Sequence, residues 1–234
     1  MHPDLDGRLE DGTRIFEEGY SMYRFFMTEY AGVDPEDGMA LYWMLDDDEN
    51  LEKTNDFAIA QQTNRVATEN LLPKVFGGFG TGIEAFGFYA SVHLSYQLGG
   101  KIFDNGYLRL MHGGTSTYAG NNWHKDIFNA WTPDNPNTDV PRLNTSDRYA
   151  NSTSTRFIIS SNYLSLNNIT IGYTLPYRLL ENVGISKLRV YFAADNVYLL
   201  SARKGLDPRQ SFTAATTSTY TAIRSVSGGI SLTF

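Results

Sequence analysis

Residues 222–234 read AIRSVSGGISLTF and constrain the fold more than any other stretch. Val226, Gly228, Ile230, Leu232 and Phe234 share one parity, while Ser225, Ser227, Gly229, Ser231 and Thr233 share the other. A period of two marks a strand whose two faces meet different surroundings. Half-buried strands of soluble proteins show the same alternation, so the pattern alone does not name what wets the greasy face. A chain that stops on an aromatic residue of that greasy parity fits a transmembrane barrel strand ending in an aromatic girdle.

The clearest internal strand covers residues 86–97. Phe86, Phe88, Ala90, Val92, Leu94 and Tyr96 lie on one face, opposite Gly87, Tyr89, Ser91, His93, Ser95 and Gln97. The eleven residues from Phe86 to Tyr96 match the roughly 9 to 11 a tilted strand needs to cross a bilayer. Gly99 and Gly100 tolerate positive φ and predict a tight hairpin turn, with a return strand over residues 101–112. Residues 162–175 read NYLSLNNITIGYTL, with Leu164 and Leu166 on one parity but Ile169, Ile171 and Tyr173 on the other. One extra residue near Asn167 and Asn168 restores a single greasy face, so a β-bulge is predicted there. Leu188, Val190, Phe192 and Ala194 mark another strand, after a connection over residues 176–186.

Earlier in the chain, residues 14–30 lean toward strand and residues 39–45 form a short apolar run. The turn chemistry between them, Gly32 to Gly38 with Pro35, makes the pair a hairpin. Residues 52–74 read as a surface loop, and Gly77, Gly78, Gly80 and Gly82 as turn chemistry, since their spacing fits no phosphate loop. Residues 113–156 and 201–221 form long polar loops, and residues 1–11 carry no pattern. In all, about seven strands are expected.

Composition narrows the function. Of 234 residues 19% are charged and 14% aromatic, with 15 Tyr and 21 Gly, a balance that favours barrels and sandwiches over helical bundles. A net charge of −7 without a basic run argues against a nucleic-acid partner. With no cysteine there is no disulfide scaffold and no thiolate chemistry. No apolar run reaches the length of a membrane helix, which leaves a barrel open. Met1 is followed by no basic segment and no apolar core of a secretory leader, so a protein working outside the cytoplasm would be missing its beginning.

Candidate chemistry is sparse. Asp46, Asp48 and Asn50 alternate as in a calcium loop, but Leu51 stands where glycine is needed, and a solvated acidic loop is the simpler reading. The four histidines have no metal spacing, no nucleophile elbow occurs, and neither catalytic residues, a metal nor a cofactor is expected. His93 falls on the wet face of its strand and reads as lumen-lining. Tyr118, Trp123, Trp131 and Tyr149 lie on the longest loop. They could stack on sugar rings or a partner protein, or pin the loop to the rim.

The chain resembles the carboxyl-terminal part of the SusC/RagA-type TonB-dependent outer-membrane transporters. The resemblance rests on Glu18-Gly19, Ala31-Gly32-Val33-Asp34-Pro35 with Gly38, and Pro73 followed by Gly77-Gly78. It continues through Gly99-Gly100-Lys101-Ile102-Phe103-Asp104, Trp131-Thr132-Pro133-Asp134 and Thr138-Asp139-Val140-Pro141-Arg142. It is strongest over residues 162–176 and 188–196, at Asp207-Pro208, and over Gly229-Ile230-Ser231-Leu232-Thr233-Phe234. It implies an all-β fold in which residues 1–234 form the C-terminal portion of a transmembrane antiparallel β-barrel with long extracellular loops, the plug domain being absent. It further implies a bacterial outer-membrane location, an oligosaccharide or peptide ligand, energy from the TonB complex through the missing N-terminal part, and a SusD-like lipoprotein partner. Ile230, Leu232 and Phe234 would form the terminal strand read by the barrel-assembly machinery, with Phe234 periplasmic and the long loops outside. Counting strands back from that terminus puts the turns near Gly38, Gly99 and Pro176 on the periplasmic side. Lipid would face Phe86, Phe88, Val92, Leu188, Val190, Phe192, Ile230 and Leu232. The competing reading is a soluble β-sandwich carbohydrate-binding module, in which those same side chains form one dry core.

Overall fold

A computed structural model describes residues 7–69, 71–211, 214–216 and 221–234, apart from the side chain of Val183. The first six residues of the patternless start and parts of the 201–221 loop lie outside them. The chain divides into two compact units, Met1–Leu72 with Lys101–Ile159 and Ser211–Ser218, and Pro73–Gly100 with Ser160–Gln210 and Thr219–Phe234.

In chain order the elements are β1 (Arg8–Asp11), β2 (Arg14–Glu17), β3 (Phe26–Thr28), β4 (Tyr30–Val33), β5 (Ala40–Leu45), β6 (Leu51–Thr54), α1 (Phe57–Thr63), β7 (Arg65–Ala67), β8 (Val75–Ala85), β9 (Phe88–Leu98), β10 (Lys101–Phe103), α2 (Asn105–Leu110), β11 (Ile158–Ser160), β12 (Tyr163–Thr174), β13 (Lys187–Ser201) and β14 (Ser225–Thr233). Five of these make one antiparallel sheet in the order β14-β13-β12-β9-β8, and the others form small sheets of two or three strands.

The five-stranded sheet is the body of the second unit. Its register puts Phe88 beside Tyr173, Val92 beside Ile169, Val190 beside Tyr173 and Ile230, and Leu188 beside Leu232. Partners across an antiparallel ladder share a face, so these apolar residues line up from strand to strand. That face stays uncovered: Phe192 is 51% exposed, Ile171 50% and Ile230 68%. Among the described residues no second sheet packs against it, so the dry core of a β-sandwich is not formed. The opposite face carries Ser91, His93, Thr170, Arg189, Tyr191 and Ser227.

The predicted bulge is present. Between Leu166 and Asn168 the register shifts against both neighbours. Asn168 faces His93 and Leu166 faces Leu94, so β12 spends an extra residue, Asn167, relative to β9. On the other side β13 absorbs the shift around Asn196, held at φ +50°. Asparagine tolerates this left-handed conformation better than most residues. The Asn167 amide donates to Ser95 Oγ at 3.0 Å and Asn168 Nδ2 to Asp195 Oδ1 at 2.7 Å, which fills the gap with polar contacts.

Three expectations about turns are corrected. Gly77 to Gly82 belong to β8, a full strand whose greasy parity is diluted by Gly77 and Thr81. The hairpin partner of β9 is this strand, and the turn between them is Phe86-Gly87, with φ of +53° and +84°. Phe86 therefore sits in the turn, 98% exposed, and not at the start of a strand. Gly99 and Gly100 do not lead into a return strand over residues 101–112, because β10 stops after three residues and Asp104 caps α2, accepting from the Tyr107 amide. An N-cap aspartate in DNGY ends a strand as surely as it starts a helix. Register also places Gly99 at the sheet end shared by Tyr163 and Ser201, opposite the end where Thr233 meets Lys187. The Pro176 connection does lie at the Thr233 end.

The first unit holds two buried clusters. One gathers Phe25, Met27, Leu71, Phe103, Leu108, Met111, Val140 and Phe157, and the other Ala40, Tyr42 and Ala60. The expected hairpin near residue 38 is β4 against β5, a turn of this unit and not of the five-stranded sheet. Residues 52–74 are less loop-like than expected, since they contain β6, α1 capped by Asp56, and β7.

Candidate ligand-facing cleft and the loop aromatics

Helix α2 fixes the start of the long loop. Asp104 Oδ1 accepts from the Tyr107 amide at 2.9 Å and from Thr216 Oγ1 at 3.2 Å, and Leu108 packs into the larger cluster. Just beyond the helix His112 is buried, with 1% of its surface exposed. Its ring is stacked on Tyr118 at 4.8 Å and on Trp123 at 4.9 Å, and the Trp123 indole donates to the His112 carbonyl at 2.9 Å. Nδ1 of His112 accepts from the Gly114 amide at 3.1 Å, which puts the ring proton of the neutral form on Nε2. Trp123 keeps 49% of its surface open, so one side of this stack faces solvent.

Tyr118 also lines a cleft of about 1030 Å³ within the same unit. Its walls are dense in hydroxyls, from Thr13, Thr115, Ser116, Thr117, Ser146 and Ser152, with Asn151, Gln61 and Arg148 adding amide and guanidinium donors. Asn151 is held in place by donating to the Leu108 carbonyl at 3.1 Å. A wall of neutral donors and acceptors beside an aromatic edge suits a ligand rich in hydroxyls or amides, with no charge requirement beyond Arg148.

The other two loop aromatics serve a different purpose. The Trp131 indole donates to the Pro35 carbonyl at 3.1 Å, and its ring lies so close over Gly38 that no Cβ fits there. Trp131 thus pins the loop to the β4–β5 turn. Tyr149 accepts from the Tyr42 hydroxyl at 2.5 Å through its carbonyl and packs 6.1 Å from Phe57. Burial pushes the Tyr42 hydroxyl well above its ordinary value and raises Tyr30 to about 12, the nearby Arg156 easing the latter. The structure therefore brings Tyr118 and Trp123 together and sets Trp131 and Tyr149 elsewhere in the unit. Sequence reasoning missed His112 as the centre of the stack, and no spacing signal could have found it. The hydroxyl wall was visible only as a Ser/Thr-rich composition.

Asp46 acts as its own turn cap, accepting from the Asn50 and Asp48 amides at 2.7 and 2.9 Å, and these donors hold its carboxyl below the usual range. Among the described residues no group of three or more His, Asp or Glu is arranged to hold a metal ion. Ile230 and Leu232 lie on the uncovered face of β14 and Phe234 follows it, 84% exposed.

No family model matches the chain. It is 26% identical over 219 residues to TonB-dependent receptor P3 of Formosa agariphila, covering 87% of this chain and 20% of that protein. It is 27% identical over 164 residues to TonB-dependent receptor P39 of the same organism, covering 67% and 15%. The chain thus spans about a fifth or less of the curated relatives it matches. Among solved structures, the RagAB peptide transporter superposes with a TM-score of 0.76 at 29% identity, over 97% of this chain and 24% of that chain. The RagAB peptide importer in its open-open state gives 0.75 at 28%. These relatives are receptors and transporters, not enzymes. Sequence and fold therefore agree that the chain is related to the SusC/RagA-type TonB-dependent transporters and that its place is the bacterial outer membrane.

Proposed function

We propose that this chain is the C-terminal barrel portion of an outer-membrane importer of oligosaccharides or peptides, and that it transports nothing by itself. The observation that carries the reading is the uncovered apolar face shared by all five long strands, backed by a polar face suited to a lumen. In lipid every backbone donor and acceptor needs a partner, so β8 and β14 each require another strand beside them. Those strands, a plug and the TonB contact come from other parts of the transporter, while a SusD-like lipoprotein meets the outer loops. The terminal strand with Ile230, Leu232 and Phe234 engages the barrel-assembly machinery. The RagAB relatives favour peptides, whereas the hydroxyl-lined cleft with Tyr118 also suits sugars.

Uptake of labelled peptides and oligosaccharides by cells tests this. Cells making the chain alone should show no uptake. Cells making it joined to the remaining strands and plug should show uptake that depends on TonB and whose apparent affinity falls about two- to tenfold with Tyr118→Ala, the effect expected of a lost aromatic contact in the cleft. Uptake by the chain alone, or a folded chain found free in the periplasm, would contradict the proposal.

A further inference from the structure

The second unit contains a smaller cleft, about 300 Å³, beside the irregular step in β13. Ser165, Asn196, Lys204, Asp207, Arg209 and Arg224 are among its lining residues. Asp207 and Arg209 neutralise each other as a two-pronged pair, Nε to Oδ1 at 2.8 Å and Nη2 to Oδ2 at 2.7 Å, and Arg209 Nη1 donates to the buried Ser165 Oγ at 2.7 Å. That arrangement forms a rigid floor. It also leaves Asp207, the one acid among the described lining residues, with both oxygens engaged.

The two remaining cations are placed by the backbone. Asn196 donates from Nδ2 to the Ile223 carbonyl at 3.1 Å, which draws the segment carrying Arg224 to the bulge. Ser201 Oγ lies 3.0 Å from the Arg203 carbonyl and 2.8 Å from the Leu206 carbonyl, closing the turn that presents Lys204. No ion pair engages Lys204 or Arg224 among the described residues. The cleft lining therefore carries three cations against one saturated anion, within a chain whose net charge is −7. Excess positive charge gathered in one concavity of an acidic chain is not the background of its surface.

We propose that this cleft binds the carboxylate or sulfate group of a small anionic ligand, with Lys204 and Arg224 supplying charge above the Asp207–Arg209–Ser165 floor. A guanidinium fork and an ammonium match the oxygens of either group. The volume suits one amino-acid residue or one sugar ring. This inference does not depend on transport, because binding is read without uptake.

Equilibrium binding to outer-membrane vesicles carrying the chain joined to the remaining strands and plug tests it with tritiated probes in matched pairs. The pairs are N-acetyl diglutamate with N-acetyl diglutamine amide, whose capped carboxyl terminus leaves it uncharged, and galactose sulfate with galactose. The expected result is that at least one charged probe binds over empty vesicles and over its neutral counterpart, and that added salt weakens it. The combined K204Q and R224Q substitutions should lower its affinity about tenfold or more, whereas K204R with R224K retains it. Both residues are exposed, so the variants should assemble like the parent. Binding of diglutamate alone assigns the site to peptide carboxylates, and binding of galactose sulfate alone assigns it to acidic sugars. Equal binding of charged and neutral probes, no binding of any probe, or unchanged affinity in the double variant would overturn the proposal.

Discussion

On the polar face of the five-stranded sheet, Gly172 and Gly229 are present because tyrosine rings lie on them. A Cβ at Gly172 would sit 2.1 Å from Tyr89 Cε1, and one at Gly229 would sit 2.5 Å from Tyr191 Cζ. The Arg189 guanidinium lies over the Tyr89 ring, its carbon 3.6 Å from the centroid. Gly172→Ala should therefore cost about 1–3 kcal/mol through overpacking. Gly228→Ala, whose nearest neighbour is the Tyr191 carbonyl oxygen at 3.7 Å, should cost nothing measurable. Urea titration of the two variants in parallel checks this, and equal midpoints would refute it. Asp207 gives a second prediction. Burial alone would raise its carboxyl, but the hydrogen bonds and charge of Arg209, with backbone donors, outweigh that and hold it below 3.8. Because the folded value is depressed, the stabilisation is present above the ordinary carboxylate value and is lost as pH falls through the folded one. Proteolysis of residues 202–211 should then be flat from neutral pH down to about 4 and rise only below it. Asp207→Asn should open the loop at every pH, costing about 1–3 kcal/mol.

Among elements, β13 shows most clearly how much the sequence revealed. Leu188, Val190, Phe192 and Ala194 alternate without interruption, and the structure places all four on the uncovered face. The bulge in β12 was legible for the same reason, since a change of parity within NYLSLNNITIGYTL can be reconciled with one greasy face only by an extra residue. β8 was illegible because glycine fills alternate positions and its turn begins with Phe86, a residue that carries no turn signal. Phe86 adopts φ +53°, where asparagine is better suited, so Phe86→Asn should stabilise the β8–β9 hairpin or leave it unchanged. Thermal unfolding of the assembled protein would show it, and a clear loss would mean that the exposed ring has an interfacial role. The stack of Tyr118, His112 and Trp123 could not be read either, because stacking is set by tertiary contacts and not by spacing. On β14 and β13 the faces predict opposite outcomes. Val190→Arg or Ile230→Arg should weaken assembly by about 2–4 kcal/mol, and Ser231→Arg should be tolerated.

At the scale of the molecule, the five-stranded sheet has two open edges and one apolar face without cover among the described residues, a combination that water-soluble domains rarely keep. The account stands on that face meeting lipid. Because the chain has no cysteine, single cysteines can be placed along β13 without removing any other. Spin labels at L188C, R189C, V190C, Y191C, F192C and A193C, in the transporter assembled in outer membranes, report accessibility to oxygen, which concentrates in lipid, and to a water-soluble nickel complex. The account predicts a period of two, with oxygen favoured at 188, 190 and 192 and depleted at 189, 191 and 193. Equal accessibility at neighbouring positions, or an alternation of the opposite phase, would contradict it.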